Sequence, residues 1–174
     1  MDEFSYDLKI PEDRVAVLIG SNGKTKKDIE AATKTTLDIE NGDVIVTGSD
    51  AMLLYTARQI IKAIARGFNP RIAMLLLKQD YALEVIDVSD YSGKSKNTLH
   101  RIKARLIGTE GKAQKEIEHL ANVDISVYGK TVAVIGVVED VTIGRQALEL
   151  LIKGSMHKTV FQFLEKKRKQ MMFG

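Results

Sequence analysis

Leu18-Ile19-Gly20-Ser21-Asn22-Gly23-Lys24-Thr25-Lys26-Lys27-Asp28-Ile29-Glu30 recurs 88 residues later as Leu106-Ile107-Gly108-Thr109-Glu110-Gly111-Lys112-Ala113-Gln114-Lys115-Glu116-Ile117-Glu118. The offset holds without a gap as far as Gly48 and Gly136, and 11 of those 31 positions are identical. A second match, at offset 87, sets residues 58–67 against 145–154. Two glycines separated by two residues are common by chance. Here the same apolar residues precede them, the same lysine follows them, and the same strand pattern lies downstream. The chain is a duplication, so each copy has to fold around its own core.

Working outward from the glycines, each copy reads as β-α-α-β-β-α. An extended segment comes first (residues 4–10 and 81–88), then a short helix running into the glycines (12–19 and about 95–107). A second helix leaves them, with Ile29 and Ala32, or Ile117 and Leu120, at helical spacing. Two strands follow, 35–40 and 43–47 around Asn41-Gly42, and 123–128 and 131–135 around Gly129-Lys130, both two-residue hairpin signals. An amphipathic helix (50–66 and 138–153) closes each unit. Leu37 and Ile39, like Ile125 and Val127, give the strands one apolar face, as a three-stranded sheet covered by helices on one side requires. The expected fold is α+β, with a first module over 1–68, a connecting helix over 69–80, a second module over 81–154 and a basic C-terminal helix over 155–174. The connector has Pro70 at its start and Ile72, Met74, Leu75, Leu76 and Leu77 apolar nearly all round, which predicts a buried helix. In the tail, Val160, Phe163, Leu164 and Lys167 share one face, expected to dock on the modules.

Charge is unevenly placed. The net charge is only +3, yet residues 153–174 carry +5 and residues 92–115 carry +6. Positive charge gathered into two stretches, one of them flanking a glycine loop, points to a polyanion partner. There is no cysteine, which excludes disulfides and thiolate chemistry and fits a reducing cytoplasm. His100, His119 and His157 stand apart from one another, so neither a metal site nor a cofactor is expected. The acidic start, residues 1–7, is unlike a signal peptide, and the longest apolar run, 72–77, is far too short for a membrane span.

Glycines flanking two polar residues let another backbone approach closely, because neither carries a Cβ. The second helix begins at the loop, so its unpaired N–H groups and positive dipole end face whatever lies there. Lys24 and Lys112 add a full charge. A phosphodiester chain suits all three features. Beside it, Ile19, Ile29, Leu37 and Ile39, with Ile107, Ile117, Ile125 and Val127, are expected to be mostly core, with one edge offered to bases. The candidate RNA contacts are therefore Gly20, Ser21, Asn22, Gly23, Lys24, Lys27 and Ile29 in the first copy. In the second they are Arg101, Lys103, Arg105, Gly108, Thr109, Gly111, Lys112, Lys115 and Ile117.

This arrangement resembles tandem KH domains of type I, the βααββα kind, across both repeats. The resemblance implies recognition of about four nucleotides of single-stranded RNA by each loop and its groove. More narrowly, residues 92–105, the string Asp124-Ile125-Ser126-Val127-Tyr128-Gly129-Lys130-Thr131-Val132-Ala133-Val134-Ile135-Gly136 and the ending His157-Lys158-Thr159-Val160-Phe161-Gln162-Phe163-Leu164-Glu165 resemble the partner-of-Nob family of two-KH ribosome-maturation factors in its short archaeal form. That resemblance implies binding to the 3′ region of the small-subunit rRNA or its precursor, work beside the Nob endonuclease, and a link to the alpha subunit of initiation factor two. Glu110 departs from the pattern: a carboxylate within ~5 Å of a phosphate costs on the order of 1 kcal/mol. Both loops are expected to bind, the second supplying more affinity through its surrounding charge.

Readings from other classes remain open on the residues alone. Gly23-Lys24-Thr25 ends like a nucleotide-binding loop, but that pattern needs glycine where Leu18 stands, and the second copy has Ala113 in place of the hydroxyl. With no nucleophile-and-base constellation, no enzyme activity is expected. The alternatives are a general messenger-RNA or exosome-associated KH protein, and a protein scaffold in ribosome assembly or translation initiation.

Overall fold

The computed structural model describes residues 2–173; Met1 and Gly174, the outermost residues of the expected first module and tail, lie outside the described residues. The chain divides after Gln79 into two units, residues 1–79 and 80–174.

In the first unit β1 (Phe4–Lys9) leads to α1 (Glu12–Ile19), α2 (Lys24–Thr33), β2 (Thr36–Glu40), β3 (Asp43–Gly48) and α3 (Ala51–Ala65). The sheet is antiparallel in the order β1-β3-β2, with Leu8 opposite Val44 and Leu37 opposite Val46. Leu37, Val44 and Val46 are buried under the helices with Leu18, Ile29, Leu54, Ile60 and Ile64. Asn41 and Gly42 both have positive φ, 50° and 92°, as the tight turn between β2 and β3 demands. Asp50 caps α3, its carboxylate accepting from Met52 N at 3.0 Å and Leu53 N at 3.1 Å.

The second unit repeats the plan: β4 (Tyr81–Asp87), a single turn α5 (Ser89–Ser92), α6 (Lys96–Ile107), α7 (Lys112–Ala121), β5 (Asp124–Tyr128), β6 (Thr131–Val137) and α8 (Val138–Ile152), in the order β4-β6-β5. One expectation fails here. β6 reads Thr-Val-Ala-Val-Ile-Gly-Val rather than alternating, and Val132 through Ile135 are all at 0% exposure, so the strand is buried on both faces.

The connecting segment is also shorter than the expected buried helix. Pro70–Ala73 forms one helical turn, α4, capped by the Asn69 side chain, and Met74–Leu77 tightens to 3₁₀ geometry before Lys78 turns extended. Ala73 and Leu76 are buried while Leu77 is exposed, and the turns pack on α3 of the first unit. The tail, α9 (His157–Phe173), docks as its apolar stripe suggested: Val160 and Leu164 are buried against α7 and α8 in the core of the second unit. Lys167 lays its ammonium 5.8 Å from the Phe163 ring centroid, and the other charges from Glu165 to Lys169 stay exposed.

Candidate nucleic-acid interface

The two glycine loops have almost the same backbone. Gly20 and Gly108 have φ/ψ of 75°/175° and 76°/175°, a region only glycine occupies readily. Asn22 and Glu110 follow at φ 55°, and Gly23 and Gly111 at φ 74°. The glycines of each pair do different work. A Cβ on Gly20 would lie 2.8 Å from Thr25 N, and one on Gly108 would lie 2.8 Å from Ala113 N, so the first glycine lets the loop press onto the start of the next helix. A Cβ on Gly23 or Gly111 would meet only the Lys27 or Lys115 side chain, at 4.0 and 3.9 Å. The second glycine therefore leaves open space, and a lysine runs alongside it.

Neither α2 nor α7 has a side-chain cap at its N-terminus. The first-turn N–H groups lack that partner and face the loop, where an anion can take them. Ser21, Asn22, Lys24 and Lys27 are exposed around the first loop, and Thr109, Lys112 and Lys115 around the second. Lys24 is held 2.9 Å from Asp28, a solvent-exposed pair that a phosphate can displace.

A cleft of about 250 Å³ opens beside the first loop, lined by Ile19, Gly23, Lys26, Lys27, Glu30 and Ile39. It is an apolar floor with a cationic wall, as a stacked base and its phosphate require. Ile29 and Ile117, expected to contribute to that floor, do not: both are at 0% exposure and belong wholly to the cores. Helical spacing places them on the inward face, and they lie too deep in it to touch a ligand. The glutamate that ends both repeat strings is a brace. Glu30 accepts Leu37 N–H at 2.8 Å and Glu118 accepts Ile125 N–H at 3.0 Å, tying the helix to the next strand. Burial pushes the Glu118 carboxyl up, partly offset by that bond from Ile125.

In the second unit the basic helix α6 presents its residues unequally. Arg101 is exposed, with Nη2 donating to Thr98 Oγ1 at 3.3 Å, and Lys103 is half-buried one turn before Ile107 on the same face. Arg105, expected to bind RNA, is engaged elsewhere. Its guanidinium donates to the Leu151 carbonyl at 2.9 Å and to the Ser155 carbonyl, and its own carbonyl is bonded by His157 Nε2 at 2.7 Å. It is a clamp between α6, the end of α8 and the start of α9. The first unit has the same clamp from one turn earlier: Arg14 donates to Ile64 O and Phe68 O, both at 2.8 Å, and these carbonyls match Leu151 and Ser155 at offset 87.

The sequence marks Lys130 as a hairpin-turn residue and gives it no place among the candidate RNA contacts. Together with Lys94, Lys96 and Leu99 it lines a cleft of about 450 Å³ at the start of α6. Axially that is about 18 Å from the loop at the far end of the twelve-residue helix. Between them, Lys103 and Ile107 lie on one helix face. On the other side of the loop, α9 gives a second wall, where Gly108, Thr109 and Lys112 face His157 and Phe161 across about 410 Å³. Among the described residues no group of His, Asp or Glu could hold a metal ion, and no helix is long and apolar enough to cross a membrane.

Comparison with known proteins agrees with this geometry. A family model of the KH domain matches residues 5–63, and one described as the eukaryotic-type KH domain, type I, matches residues 82–169. A KH domain-containing protein of Methanocaldococcus jannaschii is 45% identical over 168 residues, covering 94% of this chain and 74% of that protein. The crystal structure of Dim2p from Pyrococcus horikoshii superposes with a TM-score of 0.87 at 40% identity, covering 94% of this chain and 99% of that one. A chain in the a/eIF2alpha–aDim2p–rRNA complex of the same organism gives 0.90 at 40% identity, with 97% and 96% covered.

Proposed function

Because this chain belongs to the partner-of-Nob family of two-KH-domain proteins, we propose that it acts in small-subunit ribosome maturation by holding single-stranded RNA at the 3′ region of the small-subunit rRNA or its precursor. The observation that carries the reading is the repeated loop: two backbones alike to a few degrees, each opening onto an uncapped helix start. KH loops of this kind clamp the sugar–phosphate chain of about four nucleotides. In the second unit the track runs from Thr109 and Lys112 past Ile107 and Lys103 to Lys96, Lys94 and Lys130. That supports the larger share of affinity there, since phosphate attraction dominates binding strength.

The likeness to a chain in a complex with a/eIF2alpha and rRNA supports a cytoplasmic role with the alpha subunit of initiation factor two as a protein partner. The Nob endonuclease is proposed as the second partner. The chain itself binds and presents the RNA; cleavage belongs to the partner. Fluorescence anisotropy with an oligonucleotide of the rRNA 3′ end and a scrambled control tests this. Binding should favour the native sequence and fall at least tenfold when Ser21 and Asn22, or Thr109, are changed to Asp. Equal affinity for both oligonucleotides, indifferent to these changes, would overturn it.

A further inference from the structure

Away from the glycine loop, the first unit has a second cleft, of about 500 Å³, between β1 and α3. Leu8, Ile61 and Ala65 form its floor, and Lys9, Arg58, Lys62 and Arg66 its rim. Arg58 and Lys62 are four apart on α3, so they stack on successive turns of one helix face, and Arg66 caps its end. Among the described residues neither Arg58 nor Lys62 has a carboxylate partner; Arg58 rests 5.0 Å from the Tyr6 ring centroid.

The duplicate shows that the fold does not require this charge. By strand register and helix offset, Tyr6, Lys9, Arg58, Lys62 and Arg66 correspond to Glu84, Asp87, Arg145, Glu149 and Lys153. There Arg145 is tied to Glu84 at 2.6 Å and to Glu149 at 2.8 Å. The same five places hold four cations and no carboxylate in the first unit, but two cations and three carboxylates in the second. One copy has neutralised its groove; in the other, Arg58 and Lys62 keep theirs positive.

The groove runs along a strand edge. Among the described residues β1 pairs only with β3. Ile10 N–H donates to Gly42 O at 2.8 Å, and antiparallel alternation from that pair turns the backbone N–H and C=O of Ser5, Asp7 and Lys9 outward. A row of outward peptide groups beside an apolar floor and a cationic rim fits a peptide backbone better than a nucleic acid. A nucleic acid would leave that row of outward N–H and C=O groups without a matching partner, whereas an added strand pairs with it group by group.

We infer that the β1–α3 cleft receives an extended acidic segment of a partner protein, which adds a strand to the free edge of β1. In an added strand every second side chain faces α3, so carboxylates at alternate positions reach Arg58 and Lys62 while the intervening residues point away.

The test uses the full isotope-labelled chain and a synthetic peptide of about eight residues, a typical strand length, alternating Glu and Thr. Nuclear magnetic resonance titration should move the Ser5, Asp7 and Lys9 amides and the Arg58 Nε–H saturably, and a Lys-Thr peptide should not. Arg58→Glu with Lys62→Glu should weaken binding at least tenfold. A measurement on unaltered protein guards against misfolding of that variant: N-methylating one alternate set of peptide nitrogens should abolish binding, and the other set should not. Unmoved edge amides, or equal behaviour of the two methylated peptides, would refute strand addition. If single-stranded oligouridylate shifts the Arg58 signal and the acidic peptide does not, the cleft is a nucleic-acid contact and the inference is wrong.

Discussion

Replacing Arg105 by Met keeps the aliphatic stem and removes the guanidinium that ties α6 to the carbonyls of Leu151 and Ser155. A hydrogen bond from a charged donor contributes about 1.5–3 kcal/mol. With two such bonds, discounted for partial exposure of the arginine, the second unit should lose about 2–4 kcal/mol. Because two units need not unfold together, a single melting temperature is a poor readout. Hydrogen exchange resolved by residue is the better assay, with β6 and α8 amides losing protection and β3 and α3 amides unchanged. RNA binding separates the clamp from a phosphate contact. Each lysine or arginine on a phosphate contributes about 0.7 to the slope of log affinity against log salt for single strands. Lys112→Ala should lower the slope by about that amount, whereas Arg105→Met should leave it within about 0.2. Undiminished protection together with a slope reduced by about 0.7 would show that Arg105 sits on RNA after all. Arg14→Met should produce the mirror result, loosening the first unit alone.

Three further outcomes follow from the loops and their braces. Gly108→Ala should destabilise the second unit by about 2–5 kcal/mol, from a glycine-only conformation and a Cβ pressed against Ala113, whereas Gly111→Ala should lose only about 1 kcal/mol; site-resolved exchange distinguishes them, and equal effects would contradict the division of labour between the glycines. Glu110→Asn, which suits the left-handed φ of 55° and removes the repelling carboxylate, should stabilise by about 0.5–1 kcal/mol and tighten RNA about fivefold in an anisotropy titration. Glu118 has its folded pKa raised by burial, so the ionised form opposes folding and the group's contribution to stability is lost as pH rises through that pKa. Glu118→Gln keeps an acceptor for Ile125 N–H, so denaturation at neutral pH should find it at least as stable as the parent, with the difference shrinking as pH falls below the raised value.

The order of elements was legible because local chemistry states it. Asn41-Gly42 names its turn, and the paired glycines name the junction between helices. Depth and distance were not legible. Periodicity places Ile29 and Ile117 on the inner face without saying that no edge emerges. Arg105 reads as one more cation in a basic run because its acceptors lie 46 and 50 residues further on. Lys130 reads only as a turn residue, since a turn lysine is ordinary until the fold sets it beside Lys94 and Lys96. The double burial of β6 is written in its unbroken apolar run, whereas the neighbouring strand, with Ile125 and Val127 alternating, states only one covered face.

The docking of α9 has a practical corollary for anyone dissecting this protein. Trimming the polypeptide at Ile152, where the β-α-α-β-β-α plan is complete, would strip Val160 and Leu164 from the core and leave Arg105 without the Ser155 carbonyl. The fragment would bare a greasy scar on α7 and α8 and invite self-association, so failure of such a piece to bind RNA would report on its solubility rather than on its loop. The smallest autonomous version of the second unit reaches at least to Leu164.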